Sequence, residues 1–193
     1  MSVRLVSVDW GTTSLRLKAL DAAGEVAAER AGVRGILNCG ETAFAAVLRE
    51  ELDALLDGQA TGDGGAALRV LMSGMIGSRQ GWEEAAYLGC PAAPADVAKA
   101  LHVIDAPGAG VGGFEIRIVP GMATDGGGNG AVPDVMRGEE TQVLGAMILQ
   151  GISEGTFVIP GTHSKRIIVE GGRITGFRSF MTGELFAALL DHT

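Results

Sequence analysis

Apolar and polar residues alternate along the first thirty positions, and this period of two predicts a β-hairpin followed by a third strand. Further along the chain, short apolar runs predict strands, and apolar residues at helical spacing predict helices. The strands predicted in this part of the chain lie at residues 3–9, 14–20, 25–30, 68–72 and 114–119. The predicted helices lie at residues 41–56, 96–101 and 139–149. Strands and helices therefore alternate along the chain.

The pattern near the end of the chain repeats the order seen at the start. Strands are predicted at residues 156–160, 167–169 and 174–180, with a Gly-Thr turn after the first and a glycine turn after the second. The first thirty residues show the same order of strand, Gly-Thr turn, strand, turn and strand. An internal duplication of a β-turn-β unit is therefore predicted, with the second unit beginning near Gly151.

The tip of the first hairpin carries a carboxylate and two hydroxyls, in the order Asp9-Trp10-Gly11-Thr12-Thr13. A tight glycine turn exposes several backbone N–H groups in one concavity, which suits phosphate, and Thr12 and Thr13 add hydroxyl donors. Asp9 would repel a bare phosphate, so its position favours Mg²⁺, which accepts carboxylate, water and phosphate oxygens together. The alternative is a turn in which these side chains only cap the local backbone. The sequence has no GxxxxGK[ST] motif, so a P-loop does not explain the tip.

The composition is ordinary for a globular protein, with 47% hydrophobic and 20% charged residues. A formal net charge of −8, without a basic cluster, argues against nucleic acid or an anionic membrane as the partner. Cys39 and Cys90 lie far apart, which fits neither a disulfide framework nor a zinc site and favours a reducing compartment. The sequence has no run of ~20 apolar residues and no signal-peptide pattern, so we expect a cytoplasmic protein.

Five stretches of the sequence together resemble one protein family. The hairpin tip, Asp9 to Arg16, resembles the first phosphate loop of the superfamily of actin-like ATPases and sugar kinases. Four further stretches follow in the order and at the spacing of the 2-dehydro-3-deoxygalactonokinases, also called 2-keto-3-deoxygalactonate kinases: Gly74-Met75-Ile76-Gly77-Ser78, Met136-Arg137-Gly138-Glu139-Glu140-Thr141-Gln142, Pro160-Gly161-Thr162-His163-Ser164-Lys165 and Thr182-Gly183-Glu184-Leu185. Each stretch alone is a weak signal, but five in register make the resemblance specific.

This resemblance implies an ATP-dependent carbohydrate kinase that phosphorylates 2-dehydro-3-deoxy-D-galactonate on its 6-hydroxyl in galactonate catabolism. The implied fold is α/β, with two ribonuclease-H-like domains of the actin-like ATPase type. ATP and sugar would bind in the cleft between the domains, and closure of the cleft would exclude water. The first domain, with the sugar loop and the first phosphate loop, is expected over residues 1–150. Residues 151–193 are expected to begin the second domain, with the second phosphate loop.

The resemblance also implies roles for individual residues, since phosphoryl transfer depends on positioning and charge neutralisation. Asp9 is the expected Mg²⁺-associated carboxylate. The expected contacts to the ATP phosphates are Gly11, Thr12 and Thr13 on the first loop and Gly161, Thr162 and His163 on the second. Glu139 or Glu140 could orient or deprotonate the acceptor hydroxyl. Both acids could instead only stabilise the first turn of the predicted helix.

The substrate implied by the resemblance is an anion and therefore requires a cation. Arg137 is the best-placed candidate, because a guanidinium can bind a carboxylate through two parallel hydrogen bonds. Arg16 and Arg79 are alternatives, although either could be a solvated surface residue. The turn Ser73-Gly74-Met75 resembles the sugar-contacting loop of carbohydrate kinases, and Trp82 could pack beside the sugar or in the core. The glycine-rich loop at residues 124–130 could order over the substrate.

Members of the resembled family continue well beyond Thr193, so we expect this chain to be a truncated kinase with little activity of its own. The open edge of the second sheet would then favour association with another chain, including a second copy. One rival hypothesis is a non-catalytic module of the same fold that binds a nucleotide or a partner. Another is a nucleotide hydrolase in which Glu139 or Glu140 activates water. The sugar loop and Arg137 favour the kinase.

Overall fold

The computed structural model describes residues 2–39, 44–61, 67–105, 113–126 and 132–191. The chain divides into two compact units, the first made of residues 1–85 and 101–119 and the second of residues 86–100 and 120–193. The helix at residues 139–150, which we expected at the end of the first domain, belongs to the second unit. The domain boundary expected near residue 150 stays a prediction.

The strands and helices are numbered in chain order. The strands are β1 (Ser2–Val3), β2 (Leu5–Trp10), β3 (Leu15–Leu20), β4 (Val26–Gly32), β5 (Ala60–Thr61), β6 (Leu68–Ser73), β7 (Leu88–Gly89), β8 (His102–Val103), β9 (Phe114–Ile118), β10 (Met122–Thr124), β11 (Asp134–Met136), β12 (Gly155–Ile159), β13 (Ser164–Glu170) and β14 (Arg173–Phe180). The helices are α1 (Phe44–Leu56), α2 (Pro94–Lys99), α3 (Glu139–Gln150) and α4 (Gly183–Asp191). Two short 3₁₀ turns lie at Ile36–Asn38 and Met75–Gly77.

The first unit is built on a six-stranded sheet with the order β4-β3-β2-β6-β9-β8. The alternation along β2 places Val6, Val8 and Trp10 on one buried face of this sheet. Helix α1 packs against β3 and β4 and buries Leu48 and Leu52 completely. These buried side chains form the core of the first unit. Burial of each large apolar side chain contributes roughly 1.5–3 kcal/mol.

The predicted hairpin, third strand and long helix of the first unit are confirmed, with shifts of a few residues at their ends. Strand β2 pairs antiparallel with β3 and parallel with β6, so the hairpin tip lies beside the end of β6. Residues 41–43 of the predicted helix and residues 127–130 of the glycine-rich loop lie outside the described residues. Within the described part of the chain, no helix is long and apolar enough to cross a membrane.

The second unit contains two three-stranded sheets, with the orders β12-β13-β14 and β11-β10-β7. Hydrogen bonds connect β11 to β13 and β14. The buried Lys165 donates from Nζ to Val135 O (2.9 Å) and to Ser179 Oγ. The backbone N and the hydroxyl of Ser179 both donate to the Asp134 carboxylate, at 2.5 and 2.8 Å. Lys165 is therefore bonded within its own unit.

Both units contain the strand order that predicted a duplication. Each has three consecutive antiparallel strands, β2-β3-β4 in the first unit and β12-β13-β14 in the second. In both cases a Gly-Thr tip joins the first strand of the three to the second. The two tips are therefore equivalent in topology, and each is described below within its own unit.

Candidate functional site

The first Gly-Thr tip joins β2 to β3. Its turn is closed by a hydrogen bond from Gly11 N to Ser14 O, at 2.9 Å. Asp9 and Arg16 are direct cross-strand partners, and Arg16 Nη1 donates to Asp9 Oδ2 at 3.2 Å. Both side chains are accessible, with 60% of Arg16 and 45% of Asp9 exposed. The structure thus brings the expected carboxylate to an open tip, with a cation as its neighbour.

The predicted sugar loop lies directly beside this tip. Parallel pairing of β2 with β6 puts Ser73 opposite Asp9. The next residue, Gly74, has φ +91°, and a Cβ built on it would lie 2.8 Å from Trp10 O and 3.4 Å from Asp9 Oδ1. Only glycine fits both this backbone conformation and this close approach. The first unit therefore joins three predicted elements in one place: Asp9, the phosphate tip and the turn that starts at Ser73.

The structure shows the surroundings of Trp82 and Arg79, two residues of the first unit whose roles the sequence left open. Trp82 is partly buried against the hydrophobic core, which favours its structural alternative. The Arg79 side chain is 86% exposed and lies 3.8 Å from the Glu84 carboxylate, as expected for a solvated surface arginine. Met75 begins the short 3₁₀ turn that follows Gly74.

The second Gly-Thr tip joins β12 to β13 and packs against the start of α4. The imidazole Nε2 of His163 lies 2.5 Å from a carboxylate oxygen of Glu184, and about half of each side chain is exposed. The backbone N of Glu184 donates to Thr162 O at 3.1 Å. The Thr182 hydroxyl bonds to Ser164 Oγ and to Gly161 O. The residues expected at the second phosphate loop therefore form one bonded cluster with residues 182–184.

Arg137 lies at the end of β11, and its guanidinium carbon is 4.4 Å from the centre of the Tyr87 ring. This cation–π contact restrains the guanidinium, since the ring face attracts the cation. The Tyr87 ring in turn packs against Gly121, where an added Cβ would lie 2.7 Å from a ring carbon. Sequence reasoning missed Tyr87, because it lies fifty residues from Arg137 and carries no motif of its own.

The two adjacent acids after Gly138 differ sharply in environment. Glu139 is half-buried, and its Oε2 accepts a hydrogen bond from Arg137 N at 3.1 Å. Glu140 is fully buried and accepts hydrogen bonds from Gly138 N (2.7 Å) and from the Thr141 hydroxyl (3.1 Å). Burial raises the pKa of the Glu140 carboxyl to about 7, and the hydrogen bonds it accepts only partly oppose this effect. Both acids thus bond to backbone at the start of α3, as the structural alternative expects.

The described residues contain no cluster of three or more His, Cys, Asp or Glu side chains that could hold a metal ion. A site made of protein ligands alone is therefore not seen in this part of the chain. A single carboxylate such as Asp9 suits Mg²⁺, which keeps several waters and takes its other oxygens from phosphate groups.

A sequence model of the 2-keto-3-deoxy-galactonokinase family matches residues 9–193, a range that includes both tips. The chain belongs to this family. A curated relative from Rhizobium meliloti (strain 1021), named probable 2-dehydro-3-deoxygalactonokinase, is 40% identical over 97% of the chain and 56% of the relative. The 2-dehydro-3-deoxygalactonokinase of Escherichia coli (strain K12) is 34% identical over 100% of the chain and 59% of the relative. The chain thus spans a little over half the length of these relatives.

Solved structures agree with the family assignment. A crystal structure from Sinorhizobium meliloti, assigned as a 2-dehydro-3-deoxygalactonokinase, is 40% identical and superposes with a TM-score of 0.82 over 98% of this chain and 57% of that one. The Ppx/GppA phosphatase of Aquifex aeolicus has a TM-score of 0.50 at 12% identity over 97% of this chain and 55% of that one, a likeness that concerns the fold alone. The predicted family and the predicted α/β fold of the actin-like type are confirmed.

Proposed function

We propose that the complete protein transfers the terminal phosphoryl group of ATP to the 6-hydroxyl of 2-dehydro-3-deoxy-D-galactonate. The observation that carries this proposal is the family match over residues 9–193, because it spans both Gly-Thr tips and the stretch around Arg137. The names of the two curated relatives support the same substrate. The protein would then act as a carbohydrate kinase in galactonate catabolism, in the cytoplasm, with a small-molecule sugar acid as its partner.

ATP would bind with its phosphates at the two tips. In the first unit the donors would be the backbone N–H groups and hydroxyls of Thr12 and Thr13, while Gly11, whose N–H donates to Ser14 O, would let the backbone approach the phosphate closely. In the second unit the donors would come from Gly161-Thr162-His163. Asp9 would hold Mg²⁺ through its carboxylate, and the absence of a side chain at Gly74 leaves room beside Oδ1. When bound, Mg²⁺ neutralises charge on the phosphate oxygens. The pairing of Arg16 with Asp9 lowers the local negative charge that phosphate would meet.

The sugar acid would bind through its carboxylate to Arg137 and through its hydroxyls to the turn Ser73-Gly74-Met75. The contact with the Tyr87 ring favours Arg137 for this role, because a guanidinium that is already restrained loses less entropy when it binds a carboxylate with two hydrogen bonds. Arg16 is the weaker candidate, since its guanidinium already donates to Asp9.

The acceptor hydroxyl requires a carboxylate that orients it and takes its proton. Glu139 is the better candidate of the two acids, because it is half-buried whereas Glu140 is enclosed by its own helix turn. In the proposed step, the sugar 6-oxygen forms a bond to the γ-phosphorus, the bond from that phosphorus to the β,γ-bridging oxygen breaks, and the hydroxyl proton passes to Glu139. ADP leaves with the bridging oxygen. Glu140 would keep the turn at Gly138 in place.

A coupled ADP-release assay on the product of the complete reading frame tests the proposal. ADP release should depend on 2-keto-3-deoxygalactonate, and Glu139→Gln should lower kcat by about a hundredfold, within the range for loss of general-base catalysis. ADP release without added sugar would favour the hydrolase hypothesis. Nucleotide binding without turnover would favour the non-catalytic module, and either result would overturn the kinase assignment.

A further inference from the structure

Each Gly-Thr tip accepts hydrogen bonds from the segment that follows the third strand of its own three-stranded set, β4 in the first unit and β14 in the second. The geometry points to these two segments, residues 35–38 and 182–184, as positioning elements that turn the backbone N–H groups of the tips toward phosphate. This inference rests on the proposed function, because it assigns a phosphate-binding role to the tips. We call residues 35–38 the first support and residues 182–184 the second support.

The first support bonds to the three consecutive carbonyl groups of the Gly11-Thr12-Thr13 segment. Three donors act on three consecutive acceptors: Ile36 N on Gly11 O (3.0 Å), Leu37 N on Thr12 O (3.1 Å) and Asn38 Nδ2 on Thr13 O (3.1 Å). Asn38 Nδ2 also donates to Val33 O at 2.8 Å, so both protons of this amide are used. The side chain of Asn38 therefore links the first support to its tip.

The second support bonds to its tip in a similar way. Glu184 N donates to Thr162 O at 3.1 Å, and the Thr182 hydroxyl donates to Gly161 O at 3.5 Å. The Glu184 side chain adds a contact to the imidazole of His163. Residues 182–184 therefore donate hydrogen bonds to two consecutive carbonyl groups of the second tip.

Each support contains a glycine that allows the close approach. A Cβ built on Gly35 would lie 2.3 Å from the backbone of Thr13. A Cβ built on Gly183 would lie 2.6 Å from Gly161 O. Contacts this short with backbone atoms cannot be relieved by a side-chain rotation, so the two close approaches require glycine.

The direction of the N–H groups follows from the planarity of the peptide bond. In a trans peptide, the C=O of one residue and the N–H of the next point in opposite directions. Because the carbonyls of Gly11 and Thr12 point at the first support, the N–H groups of Thr12 and Thr13 point away from it. The same reasoning applies to Thr162 and His163 in the second tip. Consecutive N–H groups on one side of a turn form an anion-binding concavity.

The supports are tested by isothermal titration of MgADP into the product of the complete reading frame and its variants. Asn38→Asp replaces two donors by acceptors that face carbonyl oxygens, and Gln59→Glu makes the same chemical change elsewhere in the first unit. Gly183→Ala places a methyl group against the second tip. Gly145→Ala is its control, since an added Cβ there meets no atom within 4 Å. Asn38→Asp and Gly183→Ala should each weaken MgADP binding about tenfold, and the two controls should bind as the wild type does.

Two further measurements separate positioning from a general loss of structure. Variants that keep the thermal unfolding temperature and the KM for the sugar acid, but lose MgADP affinity, support a positioning role. Hydrogen exchange of the Ile36 and Leu37 amides, measured without ligand, should be slow in the wild type and at least several-fold faster in Asn38→Asp. Wild-type affinity for MgADP in both Asn38→Asp and Gly183→Ala would overturn the inference. If the wild type itself fails to bind MgADP, the proposed function is wrong, and both supports lose their assigned role whatever their amide exchange.

Discussion

The buried carboxyl of Glu140 predicts an unusual pH dependence of stability. Burial raises its pKa from the ordinary value of 4.5 to about 7 in the folded protein. Below pH 4.5 the carboxyl is protonated in both states and has no effect. Between pH 4.5 and 7 the unfolded state loses the proton while the folded state keeps it, so stability falls as the pH rises. Above pH 7 the whole penalty is present, which amounts to about 3 kcal/mol at 1.36 kcal/mol per pH unit.

Glu140→Gln should remove this dependence. The amide is neutral at every pH, and its oxygen can still accept the hydrogen bond from Gly138 N. The difference in free energy of unfolding between the variant and the wild type should therefore move in favour of the variant by about 3 kcal/mol between pH 4.5 and pH 8. Urea unfolding followed by circular dichroism at four pH values measures it, and Glu139→Gln is the matched control at the neighbouring position. Parallel pH profiles for Glu140→Gln and the wild type would refute the reasoning.

Gly74→Ala should lower the free energy of unfolding by about 1–3 kcal/mol, because its φ of +91° is strained for any side chain. Urea unfolding with Gly32→Ala as the control measures this, and equal stability of the two variants would contradict it. Asp9→Asn should change stability by less than about 1 kcal/mol, since its pair with Arg16 is exposed, yet reduce kcat in the ADP-release assay at least about a hundredfold. Arg137→Lys should raise the KM for the sugar acid about tenfold and leave kcat nearly unchanged, because lysine cannot form the bidentate pair; a fall in kcat alone would argue against carboxylate binding there.

The fold elements that sequence reasoning predicted are those whose signal is local. Strands β2 and β3 alternate over six residues each, and α1 repeats its apolar face over thirteen, so their periods are readable without a partner. The short strands β7, β10 and β11 have two or three residues each, too few to show a period. They exist because Met122 pairs with both Leu88 and Met136, which are distant in sequence.

The candidate site likewise contains parts that the sequence predicted and parts that it could not predict. The tip at Asp9 was predictable because its glycine, threonines and carboxylate are neighbours in sequence. Its support at residues 35–38 was not, since those bonds span about twenty-five residues and use mainly backbone atoms, which leave no pattern of side chains. Helical periodicity also could not separate Glu139 from Glu140, because both lie in the first turn of α3. The two acids differ in burial, and burial depends on the packing of the whole unit, which the sequence pattern does not show.

Both tips share an electrostatic feature that bears on how an acidic chain, with a net charge of −8, would hold a nucleotide. At the first tip Arg16 is paired with Asp9, and at the second His163 is paired with Glu184. The charges of Arg16 and Asp9 largely offset each other, and His163 lies against an acidic side chain, so neither tip presents phosphate with an isolated cation. If the tips bind ATP as proposed, the attraction would come from Mg²⁺ held at Asp9 and from oriented backbone N–H groups, which act at short range. Two glycine-dependent supports would therefore matter more for nucleotide binding in this protein than the number of basic residues near the tips.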